Sequence, residues 1–179
     1  MLKESLADIQ GENIPIVEDT QVDLPVTAFI PGDWIIDNDE KISAYKKATE
    51  CKSKEALIEL ASGWSDRYGS IPKPVNTLID VMELKLIARK CGFSRIRQQK
   101  PNLILETSME ESAFRLLRKG LPDHLHSRLI YSSNSKAHSA VTARGLAAQA
   151  IEKQIEQLTQ WLDMMSGQLI KFENGDQSD

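Results

Sequence analysis

The segment Ser53–Pro74 constrains the fold more than any other part of the chain, because it reads as two amphipathic helices joined by a tight turn. Ser53 is a typical N-cap residue, and the apolar residues after it recur at i, i+3, i+4, i+7 and i+11, on one helix face. These residues are Leu57, Leu60, Ala61, Trp64 and Tyr68. Gly69 predicts a left-handed stop, and Pro74 suits the first position of the next helix. The segment therefore predicts two packed helices.

Helices on either side of this turn complete a predicted bundle. Asp37 can cap a first helix in a capping box with Glu40, three residues on. A further helix, 74–92, follows the turn with its apolar residues on one face. Its stripe consists of Val75, Leu78, Ile79, Met82 and Leu86. Because the connections are short, we expect a small helical bundle with Trp64 and Tyr68 as its largest core side chains, and one main core in the chain.

The hydrophobic period changes from helical to strand-like after Gly92. Four short strands are predicted, at 93–97, 103–106, 129–131 and 140–142. Between the two pairs, Ser108 and Glu111 form a predicted capping box for a helix that Gly120 terminates. This order of elements indicates a small antiparallel sheet backed by helices.

A long helix, from about Leu146 to Ser166 and stopped by Gly167, is the last predicted element. The expected fold class is therefore α+β. It consists of an N-terminal helical bundle, then a small antiparallel sheet packed with helices, and a long C-terminal helix.

Three parts of the chain are expected to differ in organisation. Residues 1–36 read as an extended arm or linker, in which Met1–Gln10 is amphipathic and a proline confines the alternating segment 22–26 to an edge strand. Residues 37–170 form the main domain, and the polar residues 171–179 read as a disordered tail. The lack of an opening strand or glycine-rich loop also fits a chain cut from a longer protein.

Composition narrows the class of protein. The net charge of −4 gives no global reason to expect a nucleic-acid partner. Cys51 and Cys91 do not make a disulfide framework and read as reduced thiols. No apolar run approaches the roughly 20 residues of a membrane span, and the N-terminus lacks the order of a signal peptide. We expect a cytoplasmic protein with no membrane contact.

A search for catalytic motifs predicts no catalytic, cofactor-binding or metal-binding residue. The chain has no G-x-x-x-x-G-K-[ST] sequence, no G-x-G-x-x-G after a strand and no G-x-S-x-G elbow, so ATP hydrolysis by this chain is not expected. His124 and His126 could share a metal, but further ligands at suitable spacing are missing. They are interpreted as exposed loop histidines.

A basic stretch without an intervening acidic residue runs from Lys85 to Lys100. Its members are Lys85, Arg89, Lys90, Arg95, Arg97 and Lys100. Such a run can contact phosphates in a salt-dependent manner, which makes a nucleic-acid-binding module the alternative function. The interpretation we favour is a solvated helix face with cations at the helix C-terminus, because only Phe93 offers an interleaved aromatic ring.

Asp66 and Arg67 also allow two interpretations. They can form a local ion pair at a helix end, which contributes little when exposed. An acid at a helix C-terminus is, however, unfavourable for the helix dipole, which suggests that a partner or a neighbouring cation uses it. The residues alone do not decide between the two.

Two blocks of sequence resemble one family. Residues 65–75, S-D-R-Y-G-S-I-P-K-P-V, closely resemble the D-R-[FY]-G-x-[LI]-P-x-P-V sequence of the C-terminal domain of the bacterial transcription-repair coupling factor, Mfd. Residues 29–35 and 41–47, F-I-P-G-D-W-I and K-I-S-A-Y-K-K, resemble that family's F-I-P-x-D-[YW]-I and R-L-x-x-Y-K-[RK] segments. The resemblance covers roughly residues 1–165, including a junction with an upstream motor.

This resemblance implies a regulatory function. In the family, an ATP-driven motor translocates on double-stranded DNA and pushes off stalled RNA polymerase, and a UvrB-like N-terminal module recruits UvrA. The C-terminal domain docks on that module, covers the UvrA-binding surface and restrains the motor. The resemblance thus implies a non-catalytic, autoinhibitory domain in DNA repair, with no cofactor in this chain and ATP in the upstream motor.

The resemblance also implies the docking residues. Asp66 matches the acidic position that docks toward arginines of the UvrB-like module, and Arg67 and Tyr68 match as well, with Tyr68 expected in the core. The chain departs from the pattern at Gly63, where relatives commonly carry an acid. Docking is therefore expected to be weaker or rearranged here.

Overall fold

The computed structural model describes the backbone of residues 8–9, 12–135 and 138–178, and the side chains of residues 14–134 and 138–169. The amphipathic segment expected at Met1–Gln10 lies mostly outside these residues. Two short strands, β1 (Asp8–Ile9) and β2 (Glu12–Asn13), pair antiparallel.

Three consecutive helices confirm the predicted helical part. They are α1 (Asn38–Glu50), α2 (Lys54–Tyr68) and α3 (Lys73–Lys90). The Asp37 carboxylate accepts a hydrogen bond from the Glu40 backbone N–H at 3.0 Å, and Ser53 Oγ accepts one from Ala56 at 3.1 Å. Both caps satisfy N–H groups that a first helical turn leaves without a partner. Gly69 ends α2 at a φ of 89°, which residues with a Cβ rarely adopt.

One mixed sheet of five strands follows, in the order β3-β4-β5-β7-β6. The strands are β3 (Gln21–Asp23), β4 (Phe93–Gln99), β5 (Asn102–Thr107), β6 (Leu129–Ser135) and β7 (His138–Ala143). The four strands predicted after Gly92 are confirmed, and each pairs antiparallel with its neighbours among them. The expectation of a purely antiparallel sheet is wrong at one edge, because β3 runs parallel to β4. An edge strand was expected in the arm at 22–26, but the sequence could not show that it would pair with β4 or in which direction.

Helix α4 (Glu111–Arg118) starts differently from the prediction. Its N-cap is Glu110, whose side chain makes no capping hydrogen bond, so the capping box expected at Ser108 is wrong. Thr107 orders this connection instead, because its hydroxyl donates to the Gly92 carbonyl at 2.8 Å and accepts from the Met109 N–H at 3.1 Å. A short 3₁₀ helix, Asp123–Arg128, then leads into β6.

Helix α5 (Ile151–Ser178) is displaced from its predicted bounds at both ends. It begins after Leu146, and it continues through Gly167 and into the segment 171–179 that the sequence predicted to be disordered. A glycine inside a helix costs only about 1 kcal/mol relative to alanine, so the helix formers around Gly167 can continue the helix through it.

Buried side chains form two clusters rather than the one main core expected. The helical cluster comprises Ile30, Ile35, Ala44, Ala48, Trp64, Val75 and Leu78. The larger sheet cluster lies between the sheet and helices α3, α4 and α5, and includes Phe93, Leu105, Phe114 and Leu158. Helix α3 joins them, because Val75 and Leu78 belong to the helical cluster whereas Leu84 and Ala88 belong to the sheet cluster. The predicted stripe missed Leu84 and Ala88, which continue the helix into a second core.

Candidate docking surface

Helices α1 and α2 border an open groove of about 470 Å³. Its lining combines the rings of Trp64 and Tyr68 with three acidic and two basic residues, namely Asp39, Glu40, Glu59, Lys47 and Arg67. Gly63 is also part of the lining, and a Cβ added there would meet no atom within 4 Å. The groove is therefore wide where relatives are expected to carry an acidic side chain.

Glu40 connects the two helices across this groove. Its carboxylate forms an ion pair with the Arg67 guanidinium and accepts a hydrogen bond from the Tyr68 hydroxyl at 3.3 Å. The guanidinium also lies 5.4 Å from the centre of the Tyr68 ring. The sequence predicted that Glu40 takes part in a capping box with Asp37. The Glu40 backbone N–H does donate to Asp37, but the Glu40 side chain binds Arg67 and Tyr68 at the end of α2.

Three aromatic rings pack beneath Glu40. Trp34 lies edge-on to Trp64, with ring centroids 6.2 Å apart, and 5.5 Å from Tyr68. Partial burial raises the pKa of the Tyr68 hydroxyl; Arg67 opposes this shift and Glu40 adds to it. The phenol therefore stays protonated and can donate to Glu40. Tyr68 belongs to the edge of the helical cluster, as expected.

Asp66 is the exposed acid of this helix end. Its carboxylate has no hydrogen bond or ion pair with any residue in the described part of the chain. The last turn of α2 also carries Arg67, but that guanidinium is bound to Glu40. The local Asp66–Arg67 ion pair that the sequence allowed is therefore not formed.

The three predicted partner-binding residues thus point to different surroundings. Consecutive helical residues do not share a face. Asp66 faces solvent, Arg67 reaches α1, and Tyr68 packs on Trp34. Only Asp66 is fully available to a partner, and its role as a contact stays a prediction. The sequence missed Glu40 and Trp34 as parts of this surface, although both lie in or beside the segments that resemble the family.

Most of the basic stretch is engaged by the protein's own acidic and carbonyl groups. On α3, Lys85 lies 3.6 Å from Asp19, and Arg89 donates to the Glu18 carbonyl at 3.4 Å. On β4, Arg95 contacts Asp23 at 2.6 Å and Glu106 at 3.6 Å, and Arg97 contacts Glu106 at 3.0 Å. Lys90 and Lys100 are exposed. These contacts disfavour the alternative that this stretch binds phosphates.

The remaining candidate chemistry is sparse in the described part of the chain. His126 Nε2 lies 2.9 Å from the Leu121 carbonyl and 4.0 Å from Asp123, so it is less exposed than expected. The described residues contain no group of three His, Cys, Asp or Glu side chains that could hold a metal ion. Burial raises the pKa of the Cys91 thiol to about 12, which makes it unreactive. None of the described helices has the length and apolar character needed to cross a bilayer.

Comparison with known proteins identifies one family. The model of the TRCF domain family matches residues 24–115, just over half of the chain. The transcription-repair-coupling factor of Bacillus subtilis is 34% identical over 114 residues, which cover 63% of this chain and 10% of that protein. The Escherichia coli protein is 27% identical over 111 residues, and the Mycobacterium bovis protein 27% over 140 residues.

A solved structure shows the same fold. The crystal structure of the C-terminal domain of transcription-repair coupling factor aligns with a TM-score of 0.63 at 17% sequence identity. The alignment covers 88% of this chain and 96% of that domain. The α+β class predicted from the sequence is thereby confirmed.

Proposed function

Since the chain belongs to the TRCF domain family, we propose that it is a non-catalytic regulatory domain that docks on a UvrB-like module and restrains an ATP-dependent DNA translocase. The chain spans about a tenth of the length of the relatives it matches. This proposal therefore includes the translocase, the stalled RNA polymerase and the masking of the surface that binds UvrA. So are the cytoplasmic location and the absence of an enzymatic activity in the chain.

The observation that carries the proposal is the unpartnered carboxylate of Asp66. An exposed acid in the last turn of a helix opposes the helix dipole and so costs stability, unless a cation from outside compensates it. No described residue supplies that cation. A docked partner with arginine side chains would supply it.

The surroundings of Asp66 favour a reversible contact. The Glu40–Arg67 ion pair and the Tyr68 hydrogen bond fix the end of α2, so a partner meets a preorganised surface. The groove beside it has a small excess of acidic residues, which favours a basic partner by charge complementarity. A regulatory contact that must open is better served by such a polar surface than by an obligate apolar one.

Gly63 makes this surface less acidic than in the pattern of the family. Without an acid at that position, one fewer cation of the partner can be paired. We propose that docking relies on Asp66 more strongly here, with the open groove at Gly63 free to admit a partner side chain.

Binding of the chain to a UvrB-like module tests this function. Asp66→Arg should weaken binding at least about tenfold, which corresponds to about 1.4 kcal/mol, because it places like charges together. Glu50→Arg is the matched control, since Glu50 is also an exposed acid at a helix C-terminus but lies outside the groove lining. Binding by isothermal titration calorimetry that is unchanged in Asp66→Arg would remove Asp66 from the docking surface.

A further inference from the structure

The sheet-forming part of the chain has a charge opposite to that of the whole. Residues 93–146 contain nine Lys or Arg residues and four Asp or Glu residues, whereas the full chain has a net charge of −4. Two of these nine, Arg95 and Arg97, are paired with carboxylates on the sheet. Of the other seven, Arg115, Arg118 and Lys119 lie together at the end of α4.

A groove of about 250 Å³ separates α4 from the 3₁₀ helix. Arg115 and Arg118 line it from α4, and His126 lines it from the opposite side. Lys119 lies four residues after Arg115, which places it on the same side of the helix. Arg128 follows Ser127 but does not line the groove, because its guanidinium lies against Gly145. The cations at this groove therefore come from the end of α4.

Few carboxylates compensate these cations. Glu111 lies 3.4 Å from Arg115, but both side chains are exposed, so their interaction is weak. Asp123 contacts only His126, at 4.0 Å, among the described residues. Arg118 and Lys119 have no acidic partner among residues 14–134 and 138–169. This distinguishes the cluster from the stretch Lys85–Lys100.

The rings near the groove serve to position cations rather than to stack bases. Phe114 is only 1% exposed, and it stacks on Tyr131 at 5.9 Å between centroids. The Arg118 guanidinium lies 5.6 Å from the centre of the Phe114 ring. The Tyr131 hydroxyl donates to the Met109 carbonyl at 2.8 Å. Single-stranded nucleic acid is usually bound by exposed aromatic platforms, and the described residues of this groove offer none of that kind.

We propose that the end of α4 forms a surface for the phosphate backbone of a nucleic-acid duplex, with Arg115, Arg118 and Lys119 as its cations. Several separated cations fit successive phosphates better than one enclosed anion. Because the groove presents mainly charges, with its rings packed against the protein, binding does not depend on base sequence.

Fluorescence anisotropy of the full chain with a labelled DNA duplex of about 20 base pairs tests the proposal. The variant Arg115→Gln/Arg118→Gln/Lys119→Gln replaces the three cations at the end of α4 and should bind at least about tenfold more weakly at about 50 mM salt. Its plot of log K against log salt should become less steep by about 0.9 for each phosphate that the variant no longer neutralises.

The matched control is Lys46→Gln/Lys52→Gln/Lys90→Gln, which removes the same charge from exposed positions elsewhere. It should bind the duplex as the unchanged chain does, and circular dichroism checks that both variants fold. Absence of binding by the unchanged chain, equal losses of affinity in both variants, or tighter binding of the corresponding single strand would each overturn the proposal. So would displacement of the duplex by millimolar inorganic phosphate at constant ionic strength, which would indicate a single-anion site.

Discussion

The helical part and the sheet part of this protein differ in both core and charge. The helical cluster is small and depends on packed rings at its edge, whereas the sheet cluster is larger and lies between a sheet and three helices. Residues 33–67 carry eight acidic and six basic residues, but residues 93–146 carry four acidic and nine basic residues. The helical part, with the smaller core, therefore carries an excess of acidic residues, and the sheet part, with the larger core, carries an excess of basic residues.

Although the two parts have opposite charge, shared elements connect their cores. Helix α3 contributes to both clusters, so neither cluster can unfold without exposing apolar side chains of the other. The arm adds a second connection, because Ile30 and Ile35 are buried in the helical cluster while Ile14 is buried in the sheet cluster. We expect the two parts to unfold together.

Truncation of one leucine in each cluster should have the largest effect. Leu105→Ala removes a fully buried side chain from the sheet cluster, and Leu78→Ala removes a 6% exposed one from the helical cluster. Each should cost about 2–5 kcal/mol in free energy of unfolding, with the larger loss for Leu105. Urea titration followed by far-UV circular dichroism measures both.

The same titration asks whether the clusters are one cooperative unit. In a Trp161→Phe background, fluorescence reports only Trp34 and Trp64, which lie in the helical part. Fluorescence and circular dichroism should give coincident transitions in both leucine variants. A fluorescence transition that shifts alone in Leu78→Ala would contradict the role assigned to α3.

An intermediate effect is expected from alanine substitution of one glycine in each part. A Cβ at Gly120 would lie 2.5 Å from the Met164 carbonyl oxygen, a backbone atom of α5. Gly120→Ala should therefore destabilise the protein by about 1–3 kcal/mol, because α5 and the turn must separate. Gly63→Ala meets no atom within 4 Å and should stabilise α2 by about 0.5–1 kcal/mol. Thermal unfolding that moves in the same direction in both variants would contradict these contacts.

The smallest effect concerns Asp80, on the helix that joins the two parts. Partial burial raises the pKa of its carboxyl group, and Glu83 and Glu156 add to the shift. A raised folded-state pKa favours the protonated form, so the stabilising contribution is present below the ordinary value of 3.8 and is lost as pH rises. Asp80→Asn should therefore raise the free energy of unfolding at pH 7 by about 0.2–0.5 kcal/mol.

Thermal unfolding at pH 7 and at pH 3 checks this sign. The gain should be present at pH 7 and disappear at pH 3, where Asp80 itself is protonated. Glu59→Gln, an exposed acid of the helical part, is the control. A gain of equal size at both pH values would show that the effect is not one of ionisation.

Local sequence predicted most elements, because their determinants lie within a few residues. Asp37 and Ser53 cap the helices that they were expected to cap, and Gly69 ends α2. Where the prediction failed, a competing contact decided the outcome. Ser108 does not cap α4, since the Thr107 hydroxyl orders that connection. Gly167 does not stop α5, since glycine permits a left-handed turn but does not impose one.

The candidate docking surface was predicted in part. The residue pattern drew attention to Asp66, Arg67 and Tyr68, but it could not show that Glu40 would bind two of them. Likewise, the run from Lys85 to Lys100 looked uncompensated because its acidic partners are distant in the chain. Asp23 lies 72 residues before Arg95, and only the parallel pairing of β3 with β4 brings them together.

The sequence by itself determined most of the helices and strands, the caps at Asp37 and Ser53, and the family, because periodicity, caps and short motifs act over a few residues. The tertiary structure alone decided which charges are paired and which remain free. Glu40 meets Arg67 across 27 positions, while Asp66, next to that arginine, meets no described partner. Ion pairs need proximity in space, and only the packing of α1, α2 and the arm sets that proximity.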